Sequence, residues 1–164
     1  MADVVPAGIE VRPATDRDFE ALVALDSLSA VHHAVIDPEA YQLPDREASV
    51  AFLRQRLADP RREVLVAIIE GSVVGMVDVT LVDAPRAGSI HRPIPTADLG
   101  ISVLQAWRRR GVGRALMAAA EASARRRGAD RMILDMSAAN LDALAFYRAM
   151  GYVDHELLLR RSLG

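Results

Sequence analysis

The stretch 98–128 constrains this chain more than any other part of its sequence. Asp98-Leu99-Gly100-Ile101-Ser102-Val103-Leu104 reads as a short apolar strand. Residues 105–114 form a turn containing Gly111 and Gly113, and an alanine-rich helical run follows to Gly128. Strand, glycine turn and helix in that order build an anion site. The turn can aim successive backbone N–H groups into one concavity, and the helix N-terminus adds about half a positive charge. A Cβ at the glycines would hold a phosphate off the amides and would resist positive φ. Arg108, Arg109, Arg110 and Arg114 bring charge to the same mouth. A pyrophosphate is the natural guest. The rival readings are a plain strand-to-helix turn and a nicotinamide-type dinucleotide site. The dinucleotide fingerprint wants a third small residue where Leu116 stands.

Arg108-x-x-Gly111-x-Gly113, after a strand and opening a helix, resembles the acetyl-CoA signature of the GCN5-related N-acetyltransferase (GNAT) superfamily. Asn140-Leu141-Asp142-Ala143-Leu144-Ala145-Phe146-Tyr147-Arg148-Ala149-Met150-Gly151-Tyr152 is similar to that family's Asn-x-x-Ala-x-x-Phe-Tyr-x-x-x-Gly-(Phe/Tyr) helix. The pair, one helix and one strand apart, is far more specific than either half alone. Ile9-Glu10-Val11-Arg12-Pro13-Ala14, with Asp16 and Asp18-Phe19, also resembles the family's first strand and helix. The likeness covers nearly the whole chain, with residues 30–60 and 82–97 least constrained.

The resemblance implies a mixed α/β fold: a mostly antiparallel sheet flanked by helices and splayed between its central parallel pair of strands. It implies acetyl-CoA as co-substrate, its pantetheine arm lying in that slot and pairing with backbone near Ser102 and Val103. The pyrophosphate would rest on Arg109, Arg110, Gly111, Val112, Gly113 and Arg114, with Arg108, Asn140 and Phe146 also against the cofactor. An N–H near Val103 would polarise the thioester carbonyl. Tyr147 would lie beside the sulfur and donate a proton to the departing thiolate.

Composition bounds the alternatives. A chain of 164 residues, half of them apolar and with a net charge of −2, is expected to form one domain spanning 1–164. The acidic balance argues against a nucleic-acid binder. The absence of cysteine removes disulfides, a thiolate nucleophile and zinc–sulfur sites. All twenty basic residues are arginine, which we read as codon usage and not as chemistry. Residues 1–6 lack the charged start and apolar core of a leader, and no apolar run approaches the ~18 residues of a membrane span. A cytoplasmic protein without membrane or nucleic-acid partner is expected.

Along the rest of the chain, residues 9–12 read as a strand stopped by Pro13, and Thr15 or Asp16 can cap a helix fading near Ser29. His32-His33 fall in an irregular segment, and a second helix spans 45–58. Residues 64–70 and 73–82 form a hairpin turning at Gly71-Ser72, followed by an exposed loop over 83–97. The helix after Gly113 ends in Arg125-Arg126-Arg127, read as a solvated helix end, and Gly128. Residues 131–136 are a buried strand. Asn140 caps a helix closed by Gly151, and 152–160 form a final strand. The strands on either side of the long helix must run parallel.

Amine acetylation needs an acceptor without its proton. An alkylammonium of pKa about 10.4 is neutral about once in 10³ at pH 7, an obstacle of roughly 4–5 kcal/mol. Asp98 stands where relatives often carry an acidic base, though theirs is a glutamate, which suggests relay through water. Asp78, sharing a face with Met76 and Thr80, is its rival, and Ser102 could anchor the water. His32 and His33 lack a flanking carboxylate at ligand spacing, so no metal site is expected; contact with substrate is their alternative role. The expected function is transfer of an acetyl group from acetyl-CoA to a primary amine of a small molecule or peptide, by direct attack in a ternary complex. The alternative is a non-catalytic acyl-CoA sensor. A homodimer is common among proteins this chain resembles.

Overall fold

The computed structural model describes residues 8–163; residues 1–7, with the stretch tested above for a leader, lie outside the described residues. Strand β1 (Glu10–Pro13) leads into a 3-10 turn and then helix α1 (Phe19–Ile36). Asp18 makes the corner. Its carboxylate takes two hydrogen bonds from the Arg12 guanidinium, at 2.8 and 2.9 Å, and accepts from the Thr15 N–H and hydroxyl. Helix α2 (Arg46–Leu57) starts at Asp45, whose carboxylate accepts the Ala48 N–H at 2.8 Å. Strands β2 (Arg62–Ile69) and β3 (Ser72–Leu81), then β4 (Thr96–Val103), helix α3 (Val112–Arg126), β5 (Arg131–Ile133) and α4 (Leu141–Ala149) complete the order.

The sheet runs β1-β2-β3-β4-β5, antiparallel throughout except for the parallel pair β4–β5. Period-2 alternation sends Leu65, Ala67, Val77, Val79, Ala97 and Leu99 to one face. There they meet Val112, Leu116, Met117, Ala120 and Ala124 of α3. The opposite face offers Val66 and Met76 to Leu22, Val23 and Leu25 of α1 and Leu53 of α2. Each such buried aliphatic contributes about 1.5–3 kcal/mol relative to exposure. Helix α4 lies on the α3 side, through Phe146, Tyr147 and Met150.

Several expectations need correction. Helix α1 does not fade at Ser29; it continues two turns to Ile36 and carries His32 and His33, because no helix breaker precedes Pro38. It is apolar and long enough for a membrane span by length and composition, yet it packs on the sheet through Leu22, Val23 and Leu25. The hairpin turns one residue earlier than expected: Glu70 and Gly71 both take positive φ, 49° and 76°, the pattern of a primed two-residue turn. Arg127 is not a solvated helix end. Its guanidinium donates to the carbonyls of Val79, at 3.0 Å, and Arg61, tying α3 to the hairpin. The final strand over 152–160 is absent. Leu157, Leu158 and Leu159 form an unalternating triplet, all at least 80% exposed, so no single face could be buried against β5. Strand β5 itself is only three residues long, and its outer flank borders a groove of about 420 Å³.

Candidate active site

The register of the parallel pair ends early. Thr96, Ala97 and Asp98 sit opposite Arg131, Met132 and Ile133, but β4 continues to Val103 with no further strand pairing on that flank among the described residues. This is the slot. The bonds Val82 N–H to Thr96 C=O, at 2.8 Å, and Leu104 N–H to Val74 C=O, at 2.9 Å, fix which β4 groups face it. Even-numbered residues bond β3, so the backbone groups of Leu99 and Ile101 and the N–H of Val103 point into the gap. Ser102 therefore spends its amide on β3. Its hydroxyl lies on the other face, 3.5 Å from the Leu25 carbonyl. The Val103 carbonyl accepts from the Arg108 guanidinium at 3.2 Å, which folds that arginine back over the end of the strand.

The turn above the slot has the conformation its composition called for. Arg109 and Gly111 both adopt left-handed φ, 59° and 85°, on either side of Arg110, and Gly111 is the N-cap of α3. The first intrahelical bond runs from Ala115 N–H to Gly111 C=O, so the amides of Val112 and Gly113 precede any carbonyl they could reach within the helix. The side chain of Val112 is fully buried in the core, and only its amide faces the turn. Arg110 stacks over the Trp107 ring, 5.1 Å from its centroid. Gly113 is required for a different reason than Gly111. A Cβ there would come within 3.2 Å of the Phe146 ring, so its absence lets α4 close over the first turn of α3. These exposed arginines and open amides suit an anionic diphosphate.

On α4, the Asn140 carboxamide oxygen caps the helix by accepting the Ala143 N–H at 3.2 Å. Tyr147 is half-buried between Phe146 and Tyr152, with ring centroids 5.4 and 6.0 Å away. Burial, and then the nearby carboxylate of Asp135, pushes its hydroxyl up to about 12, so it is protonated at neutral pH. It is equipped to give a proton, not to take one.

The two candidate bases differ sharply. Asp78 is buried and held by Arg62, at 2.7 Å, and by Arg56, which also binds Asp26 at 2.8 Å. Each of its carboxylate oxygens is taken by a guanidinium, which ties α2 and β2 to β3. Asp98 is partly buried with no ion pair among the described residues. Burial, then the Asp135 carboxylate, raises its pKa, so it binds a proton more readily than an ordinary aspartate. The sequence reading missed Asp135. It falls two positions beyond Ile133, on a segment expected to be buried strand, and is itself exposed between half-buried Leu134 and Met136. His32, at the end of α1, feels the Arg108 charge; burial first, and then that charge, lower its pKa and keep it neutral.

Residues 28–152 match the Acetyltransferase (GNAT) family. The chain is 33% identical over 150 residues to the L-amino acid N-acetyltransferase AaaT of Escherichia coli (strain K12), covering 88% of this chain and 82% of that protein. It is 32% identical over 114 residues to the aminoglycoside N(6')-acetyltransferase type 1 of Stenotrophomonas maltophilia, covering 69% of this chain and 74% of that one. The aminoglycoside N-acetyltransferase AAC(6')-Iy, solved in complex with CoA, superposes with a TM-score of 0.70 at 21% identity, covering 98% of this chain and all of that one. The chain belongs to the GNAT acetyltransferase family and is an acetyl-CoA-dependent N-acetyltransferase.

Proposed function

We propose that the acceptor is a primary amine of a small molecule and that it attacks the thioester directly, with both substrates bound together. The observation that carries this reading is the parting of β4 from β5 beyond Asp98, with backbone donors on one wall and a protonated Tyr147 nearby. The arm of acetyl-CoA fits along the exposed groups of Leu99, Ile101 and Val103, and the diphosphate fits the amides over residues 109–114. In this reading the Val103 N–H stabilises charge on the thioester oxygen, a contribution of roughly 3 kcal/mol for one such donor. Asp98, directly or through water, accepts the ammonium proton, and Tyr147 protonates the departing thiolate. As a base, Asp98 works only while ionised, so activity that depends on it falls as pH drops through its raised pKa. L-amino acids and aminoglycosides, the substrates named for the two relatives, bracket the acceptor class.

Replacing Tyr147 tests the role of its hydroxyl. Tyr147→Phe should lower kcat about ten-fold or more while leaving the KM for acetyl-CoA within about two-fold. Unchanged turnover with any amine that the unmodified enzyme acetylates would remove Tyr147 from the reaction.

A further inference from the structure

Three consecutive arginines follow β4, and their side chains part company. Arg110 lies over the Trp107 ring, whereas Arg108 turns back five residues and donates its Nε–H to the Val103 carbonyl at 3.2 Å. The 3-10 turn over Gln105–Trp107 makes this possible. The Trp107 N–H bonds the Leu104 carbonyl at 2.8 Å, and the Arg108 N–H bonds the Gln105 carbonyl at 3.2 Å, so the chain reverses. Arg108 then takes an extended conformation, φ −65° and ψ 154°, beside the strand end that the chain has just left. Among the described residues Arg108 makes no ion pair, so no carboxylate draws it away from that carbonyl.

Val103 is held on both sides as a result. It stands opposite Gly75 in a pair whose backbone groups point away from β3, and the next amide, Leu104 N–H, bonds the Val74 carbonyl at 2.9 Å. The peptide joining Val103 to Leu104 is therefore gripped by β3 on one side and by Arg108 on the other. A hydrogen bond from a cation is among the stronger anchors a carbonyl can have. With its carbonyl engaged, Val103 presents the slot chiefly with a donor. That suits an oxygen of the thioester better than an amide N–H of the pantetheine arm.

We propose that Arg108 is a positioning residue for acetyl transfer: its Nε–H fixes the backbone of Val103 so that the Val103 N–H meets the thioester oxygen. The reaction draws on this bond and not on the charge of Arg108. The inference rests on the reading above, in which the Val103 N–H faces the thioester. Bond and charge can be separated by substitution. A glutamine carries its amide nitrogen as many bonds from Cα as the arginine Nε, without the charge. A lysine keeps the charge but has a methylene where Nε stands. Arg108 is exposed, so its replacement is not expected to unfold the protein.

The test uses the whole protein, an amine that it acetylates, and two acyl donors: acetyl-CoA, and S-acetylpantetheine, which lacks the diphosphate. Arg108→Ala should lower turnover about ten-fold or more with both donors, because a slackened strand end misplaces the donor N–H. Its KM for acetyl-CoA should stay within about three-fold of the unmodified protein's. Arg108→Gln should recover turnover to within about three-fold, and Arg108→Lys should not. Melting temperatures of the three variants separate these effects from loss of fold. If Arg108→Ala raises only the KM for acetyl-CoA and Arg108→Lys restores it, the arginine serves the diphosphate by its charge and the inference is overturned. Folded Arg108→Gln as slow as Arg108→Ala overturns it too. Both results leave the acetyltransferase reading standing. No acetyl transfer by the unmodified protein to any amine of a broad panel would overturn that reading itself.

Discussion

Gly111 and Gly113 sit two residues apart in one motif and are glycine for different reasons. Gly111 takes φ of 85° at the helix N-cap, a region where a β-branched residue is strained by about 1–3 kcal/mol. Gly113 has no such angle; it leaves room for the Phe146 ring. Gly111→Val should therefore weaken CoA binding by more than about ten-fold in calorimetry, because it displaces the amides that would meet the diphosphate, at a stability cost of only about 1–3 kcal/mol. Equal CoA affinity would contradict the assignment of this turn. The first glycine's role was legible in the sequence, since turn chemistry is local. The second was not, because its neighbour Phe146 is 33 positions away and only folding brings α4 over α3. Asp78 stood as the rival of Asp98 for the same reason: the arginines that pair with Asp78 come from α2 and β2, and nothing in the local pattern announces them.

At the scale of elements, α2 and the sheet are joined by a buried ionic cluster in which Arg56 bridges Asp26 of α1 and Asp78 of β3. This geometry makes Asp78 a structural residue. Asp78→Asn leaves two largely buried guanidiniums without their carboxylate, so thermal denaturation should show a loss of about 3–5 kcal/mol. A variant with unchanged melting temperature but abolished turnover would return Asp78 to candidacy as the base. Elements with a strong period were legible in outline: α3 from its alanine and leucine face, and β2 and β3 from their aliphatic runs. Element ends were less so. Helix α1 ran on past Ser29 because residues 29–36 carry no breaker, and the segment after Gly151 lacks the alternation that would have committed it to a sheet. Asp135 escaped notice because β5 stops at Ile133, short of the strand expected there, and leaves Asp135 exposed.

Across the whole molecule, one irregularity sets up the chemistry. Four strand pairings are made, but the fourth lasts only three residues, and the parting of β4 from β5 exposes backbone donors between two helix-covered faces. The turn after Val103 leads from the open end of β4 into α3, and Asp98 marks where the pairing with β5 stops. The order of strands and the parallel pair could be read from the order of elements. The depth of the gap could not, since it depends on how few residues of β5 pair. The most direct measurement is a crystal structure of the protein with CoA bound. The diphosphate should lie against the amides of residues 109–114, with the pantetheine arm along Leu99, Ile101 and Val103 and the sulfur beside the Tyr147 hydroxyl. A nucleotide bound elsewhere, with that gap closed or filled by side chains, would contradict it.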